Sequence, residues 1–204
     1  GYLNGEPLNL RDNNFHKPTI NLNHNWQITN NLLMSNLLYY SPGKGGGTIP
    51  AWGANFGRTA EGLVDFNTEW AKNSTNVDSS YHPTLHYTSN ALRKAVHSHQ
   101  WFGMLSTFRY ILRNTTLTFG VDGKIYSAQN YNTVGNLLGG DYTIWSSDVN
   151  KPWDKLLYEG DVVDFNADSF AKHFGGFVQT EFLLDKISTY FNMTSSYTCL
   201  LYTS

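Results

Sequence analysis

Trp101-Phe102-Gly103-Met104-Leu105-Ser106-Thr107-Phe108-Arg109-Tyr110-Ile111-Leu112, followed closely by Leu117-Thr118-Phe119-Gly120-Val121-Asp122-Gly123-Lys124-Ile125-Tyr126, is the stretch on which the fold turns. In its second half Leu117, Phe119, Val121 and Ile125 alternate with Thr118, Gly120, Asp122, Lys124 and Tyr126. In its first half Phe102, Met104, Phe108, Tyr110 and Leu112 alternate with Gly103, Thr107 and Arg109. Side chains on a strand point to opposite faces with period two, so each run has one oily face and one polar face. Arg113-Asn114-Thr115 is short enough to make the pair a hairpin. The polar face carries Arg109, Asp122 and Lys124, which suits a wet interior with the oily face turned outward, the pattern of transmembrane barrels. A soluble sandwich alternates in the same way, and it stays the competing reading at this point.

Composition points the same way. Of 204 residues, 15% are charged, well under the ~25% of an ordinary soluble domain. Uncharged polar residues replace them, among them 22 asparagines. A net charge of −2 gives no electrostatic basis for nucleic acid as a partner. No apolar run approaches the ~18 residues of a spanning helix. Gly1-Tyr2-Leu3 reads as sequence from within a protein. A lone cysteine, Cys199, supports neither a disulfide framework nor a thiol metal site. Cys199-Leu200-Leu201-Tyr202-Thr203-Ser204 is also the in-frame translation of a transposon-end adapter used in DNA library preparation. Residues 199–204 are therefore expected to be a cloning-derived tail on a natural segment, 1–198.

Working outward, residues 1–17 read as loop. A strand from Pro18 sets Ile20, Leu22, His24, Trp26 and Ile28 against Asn21, Asn23 and Asn25. Thr29-Asn30-Asn31 turns it, and Leu32 to Ser41 returns with oily residues on both parities. Gly43-Lys44-Gly45-Gly46-Gly47 lacks the Lys-Ser/Thr spacing of a phosphate loop and is read as the exit from the sheet. Residues 43–97 then show no strand pattern, with a short helix expected over Ala91 to Val96. A second excursion covers 127–169. Phe170 opens a fifth strand, with Gln179 and Glu181 opposite Val178, Thr180 and Phe182. Leu184-Asp185-Lys186 turns into a sixth strand from Ile187. Short connections thus alternate with two long ones. This predicts an all-β fold: a segment of an antiparallel transmembrane β-barrel, about six strands in three hairpins. Its short periplasmic turns and two long extracellular loops would lie at opposite ends. As a fragment it would be an open, curved sheet. Trp26, Tyr39, Tyr40, Trp101, Phe102 and Tyr126 fall near strand ends, where an interfacial aromatic girdle belongs.

These residues resemble the TonB-dependent outer-membrane receptors. The resemblance covers nearly all of Phe15 to Tyr197. It rests on Leu38-Tyr39-Tyr40-Ser41 before the glycine cluster, Leu63-Val64-Asp65-Phe66, His99-Gln100-Trp101-Phe102-Gly103, Leu117 to Tyr126, Leu137-Leu138-Gly139-Gly140-Asp141-Tyr142, and Gly176-Phe177-Val178-Gln179-Thr180-Glu181-Phe182. It implies a barrel of about 22 strands around a plug in a Gram-negative outer membrane, importing a scarce ligand such as a carbohydrate or a chelated nutrient. It also implies coupling to the TonB complex through an N-terminal part outside these residues, contact with outer-membrane lipid, and a possible surface lipoprotein over the mouth. A secreted β-sandwich that binds carbohydrate, a passive porin and a barrel enzyme are the alternatives.

The candidate ligand surface is the set of loop rings: Trp52, Phe56, Trp70, Tyr81 and Tyr87 in the first excursion, and Tyr142, Trp145, Trp153 and Tyr158 in the second. The other reading of these rings is that they pack the loops together. Asn21, Asn23, Asn25, Arg109, Asp122, Lys124, Gln179 and Glu181 are expected to face the lumen. His82 and His86 have helical metal spacing, but Pro83 separates them and no acidic partner follows. His97 and His99 add only one further pair. No metal site, cofactor or catalytic group is expected.

Overall fold

The computed structural model describes residues 1–51, 53–144, 152 and 154–203. In chain order its elements are β1 (Tyr2–Leu3), β2 (Glu6–Pro7), β3 (Asn14–His16), β4 (Ile20–Thr29), β5 (Leu32–Pro50), α1 (Phe66–Asn73), β6 (Leu92–Leu112), β7 (Thr115–Asn136), β8 (Thr143–Ile144), β9 (Leu156–Leu157), β10 (Val162–Leu184) and β11 (Ile187–Thr203). The chain is all-β in class. One antiparallel sheet runs β11-β10-β7-β6-β5, with β3 and β4 both paired to β5. It does not close on itself: β11 stands at one edge, and β3 with β4 at the other.

β3 pairs with Lys44–Gly46 and β4 with Leu32–Tyr40, so together they form one row with a break at Lys17-Pro18-Thr19. Proline has no N–H to give to a ladder. Ser41 spans the break instead, its Oγ donating to the Pro18 carbonyl at 2.8 Å and accepting from Thr19 Oγ1 at 3.2 Å.

Each tight connection is two residues long: Asn30-Asn31, Arg113-Asn114 and Asp185-Lys186. Arg113 and Asp185 take left-handed φ values of 45° and 26°, the conformation that matches a two-residue turn to the twist of its strands. All three turns lie at one end of the sheet. The described residues of 1–13, 51–91 and 137–161 gather at the other.

Residues opposed across a ladder share a face, and the register separates two unlike faces. On one, Trp26, Met34, Phe108, Phe119, Val178 and Met193 form a single cross-sheet row, and Leu22, Leu38 and Met104 form another. On the other stand Asn21, Asn23, Asn25, Thr107, Arg109, Thr118, Asp122, Lys124, Gln179 and Glu181. The alternation also fixes the strand whose faces the sequence left open. Leu32, Met34, Leu38 and Tyr40 lie on the apolar face, and Leu33, Ser35, Leu37 and Tyr39 on the polar one.

The apolar face is uncovered, unlike that of a soluble domain. Trp26 is 55% exposed, Phe102 50% and Phe174 63%, whereas Gly103, Gly120 and Gly175 on the polar face are buried. Among the described residues no second sheet covers the apolar face. The buried core sits in the connections instead. One cluster joins Ala91, Val134, Leu137, Leu157 and Val163. Another joins Val64, Phe66, Leu92 and Leu138, with Leu3, Leu8, Leu10 and Phe56 packed against it. The long connections and the N-terminal segment therefore fold together as a cap.

Several expectations are corrected. The glycine cluster does not leave the sheet: Gly43 to Gly47 lie inside β5 and stay paired with β6 up to Pro50. Their role is close approach, since a Cβ at Gly47 would collide with the Asp12 carbonyl and one at Gly45 with Asn14 and Phe15. Residues 92–96 are strand, and the helix is α1. Asp65 caps α1, its carboxylate accepting from Thr68 N at 3.0 Å and Thr68 Oγ1 at 2.8 Å. Strands reach 19 to 23 residues in β5, β6, β7 and β10, about twice the expected length. Cys199 to Thr203 pair with Asp168 to Lys172 as the end of β11, a pairing that does not bear on whether residues 199–204 are a cloning-derived tail.

Candidate functional site

The cap is held by side chains that take over backbone groups no sheet can satisfy. Thr88 Oγ1 donates to the Leu137 carbonyl at 2.6 Å, Thr143 Oγ1 to the Thr88 carbonyl at 2.9 Å, and Asn73 Nδ2 to the Leu138 carbonyl at 3.2 Å. Asn90 Nδ2 reaches Glu69 Oε2 at 2.9 Å. These ties connect α1 and the 51–91 segment to the 137–161 segment. Gly139, at φ 92°, lies flat beneath Trp70, and a Cβ there would press into the indole. Gly140 makes the same close approach to Thr88. The pair thus serves packing between the two connections.

The loop rings split between two roles. Tyr142 is fully buried and stands 5.7 Å from Tyr87, which stands 6.2 Å from Tyr81. Burial pushes the Tyr142 and Tyr87 hydroxyls up from their ordinary pKa. Phe56 meets Phe66 edge-on at 5.8 Å in the cap core. Trp70 and Tyr158 remain 40% and 45% exposed and are the rings most open to a ligand. Trp52, Trp145 and Trp153 lie outside the described residues.

The candidate histidines are spread out; His82, His86 and His97 are individually engaged, whereas the buried His99 Nε2 has no hydrogen-bond partner among the described residues. His82 Nδ1 accepts from Leu85 N at 3.0 Å, closing a turn. His86 pairs with Asp141 at 2.8 Å, and the His86 N–H on the same carboxylate holds Asp141 below the usual carboxylate range. His97 meets Asn130 at 2.8 Å.

The polar face carries a second cluster. Trp101 and Tyr126 meet at 4.4 Å, Tyr126 and His99 at 5.9 Å, and His99 and Phe15 at 5.4 Å, each pair with its ring planes tilted. Lys17 and Lys124 bring their Nζ atoms to 5.7 and 6.0 Å from the Trp101 ring centre. Across β7, β10 and β11, Asp122 Oδ2 lies 3.0 Å from His173 Nε2, and His173 Nδ1 lies 2.8 Å from Thr198 Oγ1. Nearer the cap, Arg93 pairs with Asp164, which also accepts from Asn132 Nδ2 at 2.9 Å.

Sequence reading singled out Asp122 and Lys124 here and missed Phe15, Lys17, His173 and the Arg93–Asp164 pair. It placed Trp101, Tyr126 and Tyr39 in a lipid-facing girdle. The register corrects this, because all three lie on the polar face and well inside their strands. Tyr40 and Phe102 lie opposite one another on the apolar face. The signal for Trp101 and Tyr126 was parity, since each alternates with the oily residues beside it. No family model matches the chain, and no curated protein matches it.

Proposed function

We propose that this chain is a stretch of an outer-membrane β-barrel receptor that imports a ligand, with its apolar face in lipid and its polar face toward the lumen. One observation carries the reading: the apolar face forms a band of limited height. On β6 its outward residues are oily from Leu112 to Phe102 except for Ser106, then Gln100 and Ser98 follow. On β7 they are largely oily from Leu117 to Ile125, then Ser127 and Gln129 follow. Ten residues at ~3.3 Å each, tilted ~40°, rise about 25 Å, the height of an outer-membrane apolar band. The row of Phe102 and Ile125 carries Lys172 on β10, so the boundary slants across the register, as on strands that cross a bilayer obliquely. A sandwich core would need a covering sheet over this same face. Coupling to a TonB complex, and a lipoprotein at the mouth, rest on the family resemblance alone.

In this reading the cap is the extracellular end, where loop rings meet ligand before it passes down the polar face. The test removes the cap while sparing the ladder. The cut runs from 51 to 91, because Gly45 to Pro50 and Leu92 to Val96 are paired strand. In the full-length receptor, a short Gly/Ser linker there should leave assembly intact and abolish energised ligand uptake at matched surface levels. Undiminished uptake would refute the reading of the cap as the capture site.

A further inference from the structure

The cluster around Trp101 has two ammonium groups directed at one indole. Lys17 comes from the break between β3 and β4, and Lys124 from β7, so separate parts of the chain converge on the ring. Among the described residues neither makes an ion pair. The carboxylate two residues from Lys124, Asp122, is held by His173 at 3.0 Å. Beside them the rings of His99, Phe15 and Tyr39 pack down onto Gly43, Gly45 and Gly103, where a Cβ would collide with each ring. Two like charges held near one ring repel each other, and the indole face offsets only part of that. A bound anion would neutralise both.

We infer that this cluster is a binding site for a ligand combining a carboxylate with a ring-shaped body. Lys17 and Lys124 hold the acid group by charge-assisted hydrogen bonds. Trp101, Tyr126 and His99 take the flat body by stacking. The site rests on the reading of the polar face as the ligand's path and specifies the chemistry admitted there. Two kinds of ligand share that chemistry, aromatic acids and acidic sugars, and the test separates them.

The full-length protein in detergent micelles is titrated with benzoate and with a galacturonic acid trimer. Benzamide and a neutral galactose trimer are the uncharged counterparts, and inorganic phosphate is the bare anion. At about 50 mM salt, where screening is modest, one acid should bind at least roughly tenfold tighter than its counterpart. The acid that does so identifies the body. Lys17→Met with Lys124→Met, matched for β content by circular dichroism, should erase that preference and leave neutral binding unchanged. Trp101→Leu should weaken acid and neutral probes alike. The inference is overturned if the neutral probes bind as tightly, if the double variant keeps the preference, or if phosphate competes as well as either acid. None of these outcomes bears on cap-dependent uptake, which tests the receptor reading separately.

Discussion

Val121→Arg separates an oily band in lipid from an oily face in a protein core. Val121 points outward, 40% exposed, in the row of Ser106 and Gly176. It lies four residues turnward of Ile125, the last oily residue on that face of β7. At ~3.3 Å per residue and ~40° of tilt this is about 10 Å below the band's edge, close to the middle of a ~25 Å layer. An arginine there should cost ~2–4 kcal/mol, a factor of roughly 30 to 1000 in the folding equilibrium. Ile125→Arg, at the edge, should cost ~0–1 kcal/mol, because its guanidinium reaches water. Asp122→Asn, on the other face, should cost almost nothing through lipid contact. The assay is urea unfolding of the full-length receptor in lipid vesicles, read by heat-resistant mobility on gels. A core would penalise both outward arginines without regard to depth. Equal costs at 121 and 125, or a larger cost for Asp122→Asn than for Val121→Arg, would refute the membrane reading.

Two further outcomes follow from the same geometry. With all other tryptophans replaced by phenylalanine, Trp26 should be quenched by brominated lipid chains and Trp101 should not; the reverse would invert the faces. Acid should loosen the cap before the sheet. Asp65 and Asp141 are held below the ordinary carboxylate pKa by Thr68 and His86, so their contribution is present above the unfolded value near ~3.9 and lost as pH falls through the lower, folded one. Pepsin should therefore cut within 51–91 increasingly from pH 4 to pH 2 while β content holds, and Asp141→Asn should flatten that dependence; a cap equally resistant at both pH values would contradict the assignment.

Period-two alternation made the lower half of the sheet legible, because there one face is apolar and the other polar. Phe119 and Val121 against Thr118 and Asp122 left one assignment open. The upper half was illegible for the same reason. Around Ser98, His99 and Gln100, and around Ser127, Gln129 and Asn130, both faces are polar, so hydropathy carries no period although the ladder continues. Strand ends were therefore drawn at the edge of the oily band, and that misplaced Trp101 and Tyr126. The helix had a local signal in Asp65 followed by Thr68, a capping pair, but its eight residues lie in a segment without apolar rhythm. Of the candidate site, the polar-face residues followed from parity alone. Lys17 and Phe15 did not, since only the interruption at Pro18 brings them to β5 and β6.

The division between two-residue turns at one end and a shared core at the other implies an order of events during folding. A hairpin such as β6–β7 can close from its turn in microseconds and zip upward through local contacts. Joining β5 to β6, or β7 to β10, means closing a much longer loop, at an entropic cost that grows with its length. The clusters around Leu92 and Val134 draw residues from three separate segments, so they cannot form until those hairpins have docked side by side. The cap is then the last unit to become protected. Amide exchange there would report completed assembly of the strands beneath it, while exchange near Arg113 and Asp185 would report only the earliest step.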